Sequence, residues 1–152
     1  RYIQRSFILN TQEKREKAIE LKLSPVPSEI EGKKILLVDD SIVRGTTAKK
    51  IINLLKRYGA KEITLAVTCP PLRNGCYYGV DFPSPQELIA HAKNEDQVAE
   101  YIGVKKVIYL DEQDLQVAIG KKDLCMACVN GKYPTDVKEG MLFAQKRRKQ
   151  KE

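Results

Sequence analysis

Ile35-Leu36-Leu37-Val38-Asp39-Asp40-Ser41-Ile42-Val43-Arg44-Gly45-Thr46-Thr47 is the stretch whose reading decides the fold. Ile35 to Val38 is an unbroken aliphatic run, the pattern of a buried parallel strand. Asp39 and Asp40 end it, a hydroxyl- and glycine-bearing loop follows, and helical spacing begins from that loop. A strand, an acidic lip and a loop leading into a helix N-terminus together make an anion site. The loop's backbone N–H groups and the helix dipole both favour a dianion.

Working outward, Ile51, Leu54, Leu55 and Tyr58 recur at helical spacing and Gly59 closes the helix. Ile63, Leu65 and Val67 alternate along a second strand, so the order is β-α-β and the pairing parallel. Tyr77–Val80 reads as a short strand after the Asn74-Gly75 turn. Ser84-Pro85-Gln86-Glu87 reads as a capped helix start, with that helix ending near His91. A helix capped by Asn94 carries Val98, Tyr101 and Ile102. Lys106–Leu110 is a strand, and Asp111 caps a helix closed by Gly120. The remaining residues read as irregular. At the other end, residues 1–10 suit a strand, and 11–20 carry few apolar anchors, as in an exposed helix or mobile loop. The pattern is α/β, and in such sheets ligands bind at the carboxyl ends of the strands, where Asp39 to Thr47 falls.

At 152 residues and 42% hydrophobic content the chain has about one domain's worth of core. No apolar run approaches a membrane span and no secretory signal opens the sequence, which points to a cytoplasmic protein. The chain opens on Arg1 rather than Met, as a fragment would, so parts of a site are expected upstream. The net charge of +7 is concentrated in Lys146-Arg147-Arg148-Lys149-Gln150-Lys151, read as a solvated tail. That tail has no aromatic residue for a base to stack on, which speaks against nucleic acid.

Chemically, carboxylates such as Asp39 and Asp40 accept paired hydrogen bonds from vicinal hydroxyls and are hard ligands for Mg²⁺. Ser41, Thr46 and Thr47 add hydroxyl donors, and Gly45 permits close backbone approach. The loop has neither the Gly-Lys-Ser/Thr of a nucleotide P-loop nor a Gly-x-Gly-x-x-Gly. A sugar phosphate is the ligand class these residues suit. Of the four cysteines, Cys125-x-x-Cys128 is a short chelating pair. With no export signal, free thiols or metal ligands come before disulfides, and zinc and redox chemistry compete as readings of the pair. Cys69 reads as a small buried hydrophobe, and His91, the one histidine, as a residue near a helix end.

The run Val38 to Thr47 resembles the 5-phosphoribosyl-1-pyrophosphate (PRPP) loop of type I phosphoribosyltransferases and, more narrowly, that of the amidophosphoribosyltransferase family. Tyr2-Ile3, Arg5-Ser6-Phe7-Ile8, Lys22-Leu23-Ser24, Tyr78-Gly79-Val80-Asp81, Glu87-Leu88-Ile89-Ala90 and Gly131-Lys132-Tyr133-Pro134-Thr135 resemble that family in the same order. The likeness covers the C-terminal portion of the family's protein. It implies a type I phosphoribosyltransferase-like parallel sheet flanked by helices, incomplete in this chain. The implied segments are a lid over 1–23, an α/β core over 24–120, a Cys-x-x-Cys segment over 121–140 and a basic disordered tail over 141–152.

The resemblance further implies that Asp39, Asp40, Ser41, Ile42, Val43, Arg44, Gly45, Thr46 and Thr47 bind PRPP. Asp39 and Asp40 would also place Mg²⁺, and Arg1, Arg5 and Arg15 of the lid are those that could meet pyrophosphate. It implies the first committed step of purine synthesis: ammonia, drawn from glutamine by a glutaminase domain upstream or in a partner chain, displaces pyrophosphate to give 5-phosphoribosylamine. A homo-oligomer is implied, and a 4Fe–4S cluster on Cys76, Cys125 and Cys128, the fourth ligand upstream with Cys69 as a spare. Other readings are a type I phosphoribosyltransferase acting on a base, a non-catalytic PRPP-sensing regulator, and an inactive scaffold fragment.

Overall fold

The computed structural model describes residues 23–80 and 84–149. They fall into two compact units. The first comprises residues 23–38, 45–66 and 95–108, and the second 39–44, 67–80, 84–94 and 109–149.

The first unit holds most of a three-stranded parallel sheet in the order β1-β2-β3, with β1 at Lys34–Asp39, β2 at Glu62–Val67 and β3 at Lys106–Tyr109. Helix α1 (Thr46–Arg57) links β1 to β2, and α2 (Glu95–Ile102) precedes β3. The expected β-α-β unit is therefore present. Its core is centred on Ile52, Leu65 and Ile102, which are completely buried, with Ile63, Val98 and Val107 close behind; of the α1 positions read in the sequence only Leu54 is buried, while Ile51 and Leu55 are half-buried and Tyr58 is exposed. Helices α1 and α2 pack together, and the Lys49 ammonium lies 4.5 Å from the Tyr101 ring centroid, a cation–π contact across that seam.

β1 departs from expectation. Ile35 to Val38 is a strand, but Leu36 is 62% and Val38 60% exposed, while Ile35 and Leu37 are half-buried. Pleating sends alternate side chains of β1 to opposite faces, and the face holding Leu36 and Val38 is covered by none of the described residues. By contrast, the inward positions of β2 are fully buried.

In the second unit the carboxyl ends of the strands remain paired. Thr68 donates its N–H to the Asp39 carbonyl at 3.1 Å, and Leu110 to that of Val67 at 2.9 Å. Helix α3 (Glu112–Ile119) is capped as expected: Asp111 Oδ1 accepts the Asp114 N–H at 2.7 Å and Gly120 takes the left-handed conformation.

Three expectations need correction here. Tyr77–Val80 is not a strand. Tyr77 stacks near Tyr133 at 5.2 Å, and Tyr78 Oη hydrogen-bonds Thr135 Oγ1 at 2.9 Å, so side-chain packing replaces a ladder. The Ser84 start yields only a 3-10 turn, Pro85–Glu87, because Leu88 turns extended at ψ 120°. The stretch read as irregular, including the tail read as disordered, carries helices α4 (Ala127–Asn130) and α5 (Lys138–Lys149). Among the described residues no helix is long and apolar enough to cross a membrane.

Candidate functional site

The segment Asp39–Arg44 begins where β1 stops. Asp39 Oδ1 accepts the N–H of Asp40 at 3.0 Å, and Asp40 Oδ1 accepts the Ser41 hydroxyl at 3.2 Å. Each carboxylate thus spends one oxygen on the local turn. Asp40 and Ser41 stand at the surface or half-buried, so these acids are not sealed in a core.

The next two residues face inward. Ile42 is buried, and Val43 packs against the apolar cluster of Leu72, Met126 and Val129. Read in the sequence as binding residues, Ile42 and Val43 therefore have only their backbone to offer. That backbone is available: among the described residues none accepts a hydrogen bond from the N–H of Ser41, Ile42, Val43, Arg44 or Gly45. Gly45, at φ 73°, turns the chain into α1 in a conformation that costs an L-residue about 1–2 kcal/mol. Thr46 and Thr47 open that helix and are exposed. Consecutive unclaimed amides beside two carboxylates can take a phosphoryl group and hydroxyl donors.

Arg44 is engaged within the protein. Its Nε donates to Glu87 Oε2 at 2.8 Å, while Glu87 Oε1 accepts from Ser84 N at 3.3 Å and Ser84 Oγ at 3.2 Å. Desolvation pushes the Glu87 carboxyl upward. The hydrogen bonds from Arg44 and Ser84 outweigh it and set the group below its ordinary 4.5. From the same turn the Ile89 N–H reaches the Val43 carbonyl at 2.9 Å. This tie between the loop and the 84–89 turn is absent from the sequence reading. The Ser-Pro-Gln-Glu pattern did show Glu87 as a capping residue, but not where its second oxygen goes. His91, also on this stretch, sits 2.7 Å from the Arg73 carbonyl through Nδ1; the helix end expected beside it does not form, because the turn stops at Glu87.

The cysteines gather in the second unit. Cys69 and Cys128 lie half-buried against the Leu72, Met126 and Val129 cluster, and Cys125 is exposed. Burial pushes the Cys128 thiol above its ordinary 9.0, and nearby Cys76 and Cys125 push it further. Burial likewise raises Cys69, helped by Cys128 and Asp40. All four thiols are free. Among the described residues, no three or more His, Cys, Asp or Glu side chains are arranged to hold one metal ion. Arg1, Arg5, Arg15 and the rest of the expected lid up to Lys22, together with Asp81, lie outside the described residues.

The phosphoribosyl transferase domain family matches residues 3–108. An amidophosphoribosyltransferase of Methanocaldococcus jannaschii is 53% identical over 137 residues, covering 90% of this chain and 29% of that protein. One from Bacillus subtilis is 38% identical, covering 90% of this chain and 30% of its own length. A solved structure of the B. subtilis glutamine phosphoribosylpyrophosphate amidotransferase, complexed with ADP and GMP, superposes with a TM-score of 0.76 at 39% identity, covering 90% of this chain and 31% of that one. The chain thus spans less than a third of the length of these relatives.

Proposed function

Because the chain belongs to the phosphoribosyl transferase domain family, we propose that it is the PRPP-binding portion of an amidophosphoribosyltransferase of purine synthesis, acting in the cytoplasm as a homo-oligomer. The observation that carries this reading is the run of unclaimed amides from Ser41 to Gly45 directly after Asp39 and Asp40, inside the matched span. In this reading the amides of that run, with the hydroxyls of Ser41, Thr46 and Thr47, hold the 5′-phosphate. The free carboxylate oxygens of Asp39 and Asp40 accept the ribose hydroxyls.

The carboxylates of Asp39 and Asp40 are hard oxygen donors that would suit Mg²⁺, which keeps several waters and completes its shell with substrate phosphates. When bound, Mg²⁺ supplies charge neutralisation to the departing pyrophosphate. The chain's own residues do the rest. The loop positions C1 of the sugar, the phosphate grip contributes binding energy remote from the reacting centre, and ammonia from a glutaminase domain attacks as the bond to pyrophosphate breaks. Arg1, Arg5 and Arg15 are the lid residues proposed to meet the pyrophosphate.

The cysteine set has the donor chemistry of an iron–sulfur cluster, and all four thiols are free, although no three of the described side chains are arranged to hold one metal ion. These three would hold a 4Fe–4S cluster whose role is structural, tying the 125–128 segment to its unit.

Calorimetry of Mg²⁺–PRPP binding to the native protein tests the proposal. Asp39→Asn or Asp40→Asn should weaken binding at least about tenfold, one lost charged contact at about 1.4 kcal/mol, with little change in stability. Unchanged affinity in both variants removes the reading.

A further inference from the structure

The loop can grip a phosphate only if its amides already point the right way, since preorganised donors need no reorganisation when charge arrives. Burial of Ile42 and packing of Val43 fix two side chains, but side-chain burial alone leaves a peptide plane free to rock. The plane joining Val43 to Arg44 is the informative one. Its carbonyl is held by the Ile89 N–H at 2.9 Å. In a planar trans peptide the N–H points opposite to the C=O, so anchoring the Val43 oxygen sets the direction of the Arg44 amide, away from Ile89. The other end of that plane is tied through the Arg44 side chain to Glu87 at 2.8 Å. Glu87 is itself immobilised by Ser84, which occupies its other oxygen through both N–H and hydroxyl. One short turn, Ser84 to Ile89, thereby holds both ends of a single peptide unit.

We infer that Glu87 is a positioning residue of the phosphate loop. It touches no substrate and acts by holding Arg44, and with it the amide array, in the binding orientation. This rests on the reading of the loop as the PRPP site. Glu87 and Arg44 are about half exposed, so their pair is of the exposed kind and its effect is modest. Glu87→Gln is nearly isosteric. It removes the charge and costs the side chain one of its two acceptor oxygens, so Arg44 and Ser84 can no longer both be served.

The test is a double-mutant cycle in the native protein: Glu87→Gln, Arg44→Gln and the pair, each assayed for KM(PRPP), kcat and Tm. Each single change should raise KM about fivefold with kcat within about twofold, because the loop grips substrate and transition state alike. The double variant should be no worse than either single one. A turn that served only the fold would lower Tm and leave KM alone, and that result overturns the proposal. So does a native KM in Glu87→Gln alongside a raised KM in Arg44→Gln, or full additivity. If the native protein itself shows no PRPP dependence, the reading of the loop fails first, and the proposal with it. That outcome is distinct from a native protein that binds PRPP but is indifferent to Glu87.

Discussion

Replacing Gly45 with alanine isolates the backbone's part in the site. Gly45 sits at φ 73° and ψ −6°, and Gly120 repeats the conformation at φ 73° and ψ 20°. At Gly120 a new Cβ would meet nothing within 4 Å, so Gly120→Ala reports the conformational cost by itself. That cost is about 1–2 kcal/mol for an L-residue in the left-handed region. The unfolded chain returns about 0.4–1 kcal/mol through lost freedom. The net is roughly 1 kcal/mol, which at a urea m-value of about 2 kcal/mol/M lowers the midpoint by about 0.5 M. Gly45 is buried, so Gly45→Ala should lose at least as much. The two variants should part on binding: Gly120→Ala keeps native PRPP affinity by calorimetry, while Gly45→Ala loses about tenfold or more as the loop backbone relaxes away from its αL turn, the equivalent of about 1.4 kcal/mol. If both bind PRPP like the native protein, the loop backbone is not the phosphate contact.

Leu65→Ala removes a fully buried side chain from the centre of β2 and should cost about 2–5 kcal/mol in urea unfolding; a loss under about 1 kcal/mol would mean this core is not packed as described. Glu87 is held below its ordinary 4.5, so its contribution to stability is full above that value and disappears as pH falls through the lower, folded-state value. A carboxyl NMR titration should place its midpoint beneath 4.5, and a midpoint above it refutes the network around Arg44. For Cys69 and Cys128 in cluster-free protein the sign reverses: raised above 9.0, they favour the neutral thiol, so their contribution holds below pH 9 and fades as pH rises through their folded-state values. Alkylation followed by mass spectrometry should label exposed Cys125 first in protein freed of metal, and equal labelling of Cys128 would contradict its burial. Iron and sulfide analysis of anaerobically purified protein should find a cluster that Cys128→Ser abolishes.

Local patterns determined a large part of this protein. The alternation at Ile63, Leu65 and Val67, the helical spacing of α1 and the Asp111 and Gly120 caps depend on neighbours within a turn or a pleat, and each appears where the sequence puts it. The candidate loop from Asp39 to Thr47 could be picked out for the same reason: its acids, its hydroxyls and its glycine are adjacent in the chain. What lies on the far side of an element is not written in that element. Leu36 and Val38 look like core until their face of β1 is found uncovered by any of the described residues, and Ser84 looks like the start of a long helix until Leu88 turns extended and is buried. Only the tertiary structure brings Glu87 to Arg44 across 43 residues and seats Val43 on the apolar cluster that Cys69 and Cys128 also pack against, because such contacts are set by how distant segments fill shared volume.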